Sequence, residues 1–159
     1  MSVCKLAPEA TTAPLLAGAD FADAYRLEVE SPPFDAADAA RRIFARTPRW
    51  VSALLALRDR LVGLVGLRRT DEAHPDAGPR IGFFPVVSQT PERVVMGFDD
   101  WHLDFRVVVD VRDLGAARRQ VTATTLVRTH NLAGRAYLGL IKPFHRAIVR
   151  AMLAQAARA

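Results

Sequence analysis

Cysteine is almost absent from this sequence: Cys4 is the only one. Neither an intrachain disulfide nor a cysteine-based zinc cluster can therefore hold the fold together, and a reducing compartment, the cytoplasm, fits that usage. Long apolar runs are missing as well. The longest apolar window, Val51 to Leu67, is broken by Arg58, Asp59 and Arg60, whereas a membrane span needs about 20 predominantly apolar residues. The N-terminus lacks a basic stretch followed by an apolar one, so no secretory signal is expected. Lysine occurs only as Lys5 and Lys142. The net charge of +5 is thus carried by arginines scattered along the chain. Nucleic-acid binding calls for a clustered basic stripe with accessible aromatics, so neither a nucleic acid nor a membrane is an expected partner.

What is present suits one soluble globular domain: 159 residues, half of them hydrophobic and a quarter charged. Residues 1–20 are rich in Ala, Pro and Thr without periodicity and read as an irregular N-terminal arm, leaving one domain over 21–159. Tyr25 to Glu30 alternates apolar and polar residues, the period of a half-buried strand, and Ser31-Pro32-Pro33 stops it. Asp35 is placed to cap a helix carrying Ala36, Ala39, Ala40, Ile43 and Phe44 at helical spacing. Thr47-Pro48 opens a second helix, with Trp50, Leu54, Leu57, Leu61 and Leu64 as its apolar stripe.

After a polar loop from Arg68 to Arg80 the period changes to two. Ile81–Ser88, Arg93–Phe98, Leu103–Val111 and Gln120–Thr129 read as strands, joined by short links at Thr90-Pro91, Asp99-Asp100 and Asp113-Leu114-Gly115. In the third, Leu103, Phe105, Val107, Val109 and Val111 share one face, and Asp104, Arg106, Val108 and Asp110 the other. Asn131 then caps a long helix to the C-terminus. Its apolar face is read as Ala133, Tyr137, Leu140, Ile141, Phe144, Ile148 and Met152, opposite Arg135, Lys142, Arg146 and Arg150, with Pro143 inside. The fold class expected is α+β: a curved antiparallel sheet of about five or more strands wrapped around a long C-terminal helix, with two shorter helices after the first strand.

Three polar constellations invite a chemical reading. Asp99-Asp100-Trp101-His102-Leu103-Asp104 could ligate a metal or run acid–base chemistry, with alternation placing His102 and Asp104 on one face; the plainer reading is a hairpin turn with solvated charges. Asp71, Glu72, His74 and Asp76 cluster in the polar loop without metal-ligand spacing. Arg128-Thr129-His130 precedes a helix N-terminus, where an anion is favoured. Lys142, His145 and Arg146 read as a solvated basic face around Pro143. No G-x-G-x-x-G or G-x-S-x-G occurs, and no metal or organic cofactor is expected.

The order of elements resembles the helix-grip fold of the START-like and polyketide-cyclase-like (SRPBCC) superfamily. Three stretches resemble a narrower group, the bacterial domain of unknown function 2867 family, over about Tyr25 to Met152. They are Pro48-Arg49-Trp50-Val51, Gly97-Phe98-Asp99-Asp100-Trp101-His102-Leu103-Asp104-Phe105-Arg106, and Arg128-Thr129-His130-Asn131 through Ile141-Lys142-Pro143-Phe144-His145-Arg146. Trp101 stands where that family leads one to expect a polar or basic residue. The helix-grip resemblance implies a cavity between sheet and helix holding a small hydrophobic or amphipathic molecule, lined by Phe105, Val107, Val127, Tyr137 and Ile141, with Thr125 and His130 as polar contacts. Two alternatives stand beside this one. The first is a cofactor-free cyclase, dehydratase or hydrolase using His102 or His130 with Asp100 or Asp104. The second, implied by relatives fused behind nucleotide-binding oxidoreductase domains, is an accessory domain partnering an oxidoreductase or self-associating as a homodimer.

Overall fold

A computed structural model describes residues 2–44, 46–64 and 78–157, without the side chains of Arg58, Leu61, Val62 and Leu64. Among the described residues seven strands form one antiparallel sheet. They are β1 (Cys4–Leu6), β2 (Phe21–Glu30), β3 (Arg80–Ile81), β4 (Phe84–Gln89), β5 (Arg93–Asp99), β6 (Leu103–Gly115) and β7 (Arg118–Thr129), in the order β1-β2-β7-β6-β5-β4-β3. Helices α1 (Ala36–Phe44) and α2 (Arg49–Leu64) follow β2, and α3 (Leu132–Leu153) follows β7 and runs into a short 3-10 helix, Ala154–Ala157. The expected α+β class, with a curved antiparallel sheet and a long C-terminal helix, is the fold observed. Among the described residues no helix is long and apolar enough to cross a membrane.

The alternation in β6 sorts the chain into two faces. Phe105, Val107, Val109 and Val111 turn toward the helices and join the main core with Leu27, Val94, Val121 and Leu153. Val108 turns the other way, into a smaller apolar cluster with Val95, Leu126 and Leu16. Helix α1 starts where Asp35 Oδ1 accepts from the Asp38 N–H at 2.7 Å. Its Ala36, Ala37, Ala39 and Ala40 are fully buried, small enough for the helix to lie close against the sheet.

Several boundaries differ from the sequence reading. The stretch read as an irregular arm carries β1, which pairs with β2, and a 3-10 helix, Ala10–Leu16, lying on the sheet's outer face. Leu16 packs there, Arg93 and Arg112 bond to Thr11 and Glu9, and Thr129 bonds to Asp20. Short apolar segments tied down by distant partners show no period. Strand β2 begins at Phe21, four residues earlier than expected. The single strand expected at Ile81–Ser88 is split by a turn in which Gly82 takes a positive φ of 59°. The last hairpin turns at Ala116-Ala117, not at Asp113-Leu114-Gly115, and both alanines carry positive φ. In α2 the inward residues are Val51 and Leu55, while Trp50 and Leu57 are exposed; Leu61 and Leu64 of the expected stripe have side chains outside the description. Helix α3 is also rotated from its expected face. Leu140 and Phe144 are 46% and 47% exposed, and the sheet-facing residues follow Leu138, Ile141, His145, Ile148 and Met152.

Candidate functional site

Both ends of α3 are fastened, and its middle is not packed down. At the N-terminus Asn131 Oδ1 accepts from the Gly134 N–H at 3.0 Å, and Asn131 Nδ2 donates to the Trp101 carbonyl at 3.0 Å. The His130 N–H donates to the His102 carbonyl at 3.0 Å. Gly134 lies so close to this turn that a Cβ would collide with the His102 carbonyl oxygen. At the other end Met152 and Leu153 are buried, and Gln155 Nε2 donates to the Ile43 carbonyl at 3.2 Å. Between these anchors α3 buries no further residue. The space beneath it is a cavity of about 210 Å³. Since about 10–15 Å³ holds one water, there is room for a small organic molecule.

The floor comes from inward side chains of neighbouring strands in register: Phe21 on β2, Val127 and Thr125 on β7, Phe105 and Val107 on β6. Tyr137, Leu138, Ile141 and His145 of α3 form the roof. One side wall is aromatic, with Phe84 5.2 Å from Phe44 and 5.5 Å from Phe105 between ring centres, and Phe98 5.8 Å from Phe105. Such tilted ring clusters are stiff and bury large apolar area.

A few polar groups interrupt these walls. His102 Nδ1 lies 3.7 Å from Asp100 Oδ2, and its ring meets Tyr137 edge-on at 5.7 Å. His145 Nε2 bonds to Asp23 Oδ1 at 3.0 Å, and its ring meets Phe21 edge-on at 5.5 Å. Behind them the buried Tyr25 hydroxyl also bonds to Asp23; burial foremost, then the Asp23 charge and that bond, raise the Tyr25 phenol above its ordinary value. Lys142 Nζ sits 5.2 Å over the Phe21 ring. An imidazole held by a carboxylate is the arrangement general acid–base chemistry uses; His145 with Asp23 is such a pair, and His102 stands near Asp100 beyond hydrogen-bonding distance.

Six of the seven residues expected as ligand contacts line this cavity: Phe105, Val107, Thr125, Val127, Tyr137 and Ile141. His130 does not. Its Nε2 bonds to Asp104 Oδ1 at 2.8 Å on the outer face of the sheet, where Arg128 bonds to Asp104 Oδ2 at 2.7 Å. Burial would raise the Asp104 carboxyl, but the hydrogen bonds and charges of His130 and Arg128 outweigh it and hold it below the usual carboxylate range. Arg128 also donates to the Ala17 carbonyl, so this trio pins the N-terminal segment to the sheet. The residues considered for an anion at the helix N-terminus are thus engaged with Asp104.

The expected pairing of His102 with Asp104 on one face is corrected too. His102 lies in the bend before β6, so strand alternation does not reach it. It turns to the cavity while Asp104 turns outward. Of Lys142, His145 and Arg146, read as a solvated basic face, Lys142 and Arg146 are exposed as expected, Lys142 also reaching the cavity lining, while His145 turns inward. Asp23 escaped the sequence reading altogether. The signal was available: Phe21, Asp23, Tyr25, Leu27 and Val29 recur at period two, which places Asp23 on the inner face. For His145 the signal was its spacing of four from Ile141 and eight from Tyr137.

Among the described residues no three His, Cys, Asp or Glu side chains gather as a metal site would require; Asp71, Glu72, His74 and Asp76 lie outside the description. No curated protein matches the chain. The family model described as "Protein of unknown function (DUF2867)" matches residues 15–152, a span from the 3-10 helix on the outer face to the buried end of α3. The chain belongs to the DUF2867 family.

Proposed function

We propose that this domain binds a small apolar or amphipathic molecule in the cavity between the sheet and α3. The observation that carries the reading is the cavity itself. Its walls are mostly aliphatic and aromatic with a few inward polar groups, the composition typical of small-molecule sites. The sheet order and the long helix across one face also support the helix-grip architecture of START-like proteins, with α3 as the gripped helix. A ligand burying roughly 300 Å² of apolar surface gains about 7 kcal/mol. It loses at least about 4 kcal/mol of that in freedom on association, leaving an affinity on the order of millimolar before any polar contact. The test is calorimetric titration with 1-alkanols of increasing length. Affinity should rise about fourfold per methylene, at about 0.8 kcal/mol each, then level off when the space is full. Absence of saturable binding across the series would remove the reading.

A second reading, cofactor-free acid–base catalysis, is favoured by one observation: His145 with Asp23 and His102 with Asp100 both reach the cavity wall. It assigns the histidines to proton transfer with a bound ligand, His145 oriented by its bond to Asp23 and His102 with Asp100 as a nearby charge. Exchange of solvent deuterium into an acidic C–H of a bound carbonyl compound, abolished in both His102→Ala and His145→Ala, is the expected sign. Equal exchange in the wild type and both variants would end it.

A further inference from the structure

We propose that the ligand is an amphipathic acid, its carboxylate or phosphate held by Lys142, with His145 and Thr125 as hydrogen-bonding neighbours and its apolar body toward the phenylalanine wall. The inference rests on the cavity reading above and adds the chemical class of the ligand. Lys142 and His145 are three residues apart on α3 and so leave the same side of the helix. They meet over a single ring: the Lys142 ammonium lies 5.2 Å from the Phe21 centroid, and the His145 ring packs edge-on at 5.5 Å. The cation–π contact holds the ammonium at the cavity rim.

Two carboxylates lie nearby, Asp100 in the cavity wall and Asp23 behind His145, and both have hydrogen-bond donors. Asp23 takes His145 Nε2 at 3.0 Å and the Tyr25 hydroxyl. Asp100 takes the Trp101 N–H at 2.7 Å and has His102 Nδ1 at 3.7 Å. Lys142 differs. Among the described residues it makes no hydrogen bond and no ion pair, and its partner is the uncharged face of Phe21. Among the described residues that line the cavity, Lys142 is therefore the one lysine or arginine, and no carboxylate is paired with it.

What surrounds it suits an acid. Thr125 sits opposite Asp23 in the strand register and faces the cavity, and its hydroxyl has no hydrogen bond among the described residues. His145 has committed Nε2 to Asp23, and its Nδ1 has no partner among them either. A carboxylate or phosphate engages all three, the ammonium by charge and the others by hydrogen bonds. A neutral head group can accept a hydrogen bond from the ammonium but forms no ion pair with it, and a cationic one is repelled. The aromatic side wall of Phe84, Phe98 and Phe105 is left for the apolar body.

The test compares octanoate, octyl phosphate and 1-octanol, which share an eight-carbon body, by calorimetry on the wild-type protein and on Lys142→Met and Lys142→Arg. The expected result is that at least one acid binds about tenfold or more tightly than the alcohol. Lys142→Met should bring that acid down to the alcohol's affinity and leave the alcohol unchanged, while Lys142→Arg keeps most of the preference. The tighter acid identifies the head group as carboxylate or phosphate. Octanol binding as well as both acids, or a preference that survives Lys142→Met, overturns the inference and leaves the cavity reading standing. Failure of all three ligands overturns both.

Discussion

Replacing Val127 with phenylalanine distinguishes an open cavity from a packed core by the sign of its effect. Val127 lies on the floor, paired in register with Phe21 on one side and Phe105 on the other, and is 5% exposed. In a filled interior the larger ring has nowhere to go, and such overpacking costs about 1–3 kcal/mol. Beneath α3 the ring instead enters the 210 Å³ space. Burying roughly 40 Å² of additional apolar surface at about 25 cal/mol/Å² stabilises the fold by about 1 kcal/mol, a rise in Tm of about 2–4 °C for a chain of this size. The ring also takes volume from any ligand, so 1-octanol affinity should fall about tenfold. Thermal unfolding and calorimetry on the same preparation read both effects. A Val127→Phe protein that loses 1–3 kcal/mol while its alkanol binding is unchanged, or never existed, refutes the reasoning.

Four further substitutions probe the fold around the cavity. Asp104→Asn should cost about 2 kcal/mol by weakening charge-assisted bonds to Arg128 and His130, and should leave alkanol binding intact. Because the folded carboxyl titrates below its unfolded value of about 3.9, its contribution is complete above that pH and disappears as pH falls through the folded value. The stability gap in urea should therefore close in strong acid. Gly134→Ala drives a methyl into the His102 carbonyl and should cost about 1–3 kcal/mol, whereas Gly139→Ala, which meets nothing, should stabilise by up to about 1 kcal/mol in the same urea assay. Ala117→Gly relieves a left-handed alanine with φ of 57° in the β6–β7 turn, and should raise stability by about 0.5–1 kcal/mol.

The parts of this fold that were legible in the sequence are those where one physical pattern dominates. The strict alternation of β6 and the Asn131 cap are examples, because each rests on neighbours in the chain. The faces of α2 and α3 were misjudged because the cavity relaxes the rule that apolar residues turn inward. Leu140 and Phe144 stay exposed while His145 faces the sheet side, and hydrophobicity alone ranks those three the other way round. The N-terminal segment was illegible for a different reason. Its order comes from contacts across more than 80 residues, such as Thr11 with Arg93 and Asp20 with Thr129. His102 and Asp104 parted because a bend at the strand entrance breaks the period between them. The buried Asp23 with its His145 partner is a pairing across 122 residues, which no local pattern can announce.

A crystal structure of the protein soaked with 1-octanol measures the central claim most directly. The account predicts density for one alkanol molecule lying between Val127 and Phe105 below and Tyr137 and Ile141 above, with α3 held at its two fastened ends. Side chains from α3 and β6 meeting across that gap, with no volume left for a single water, would contradict it.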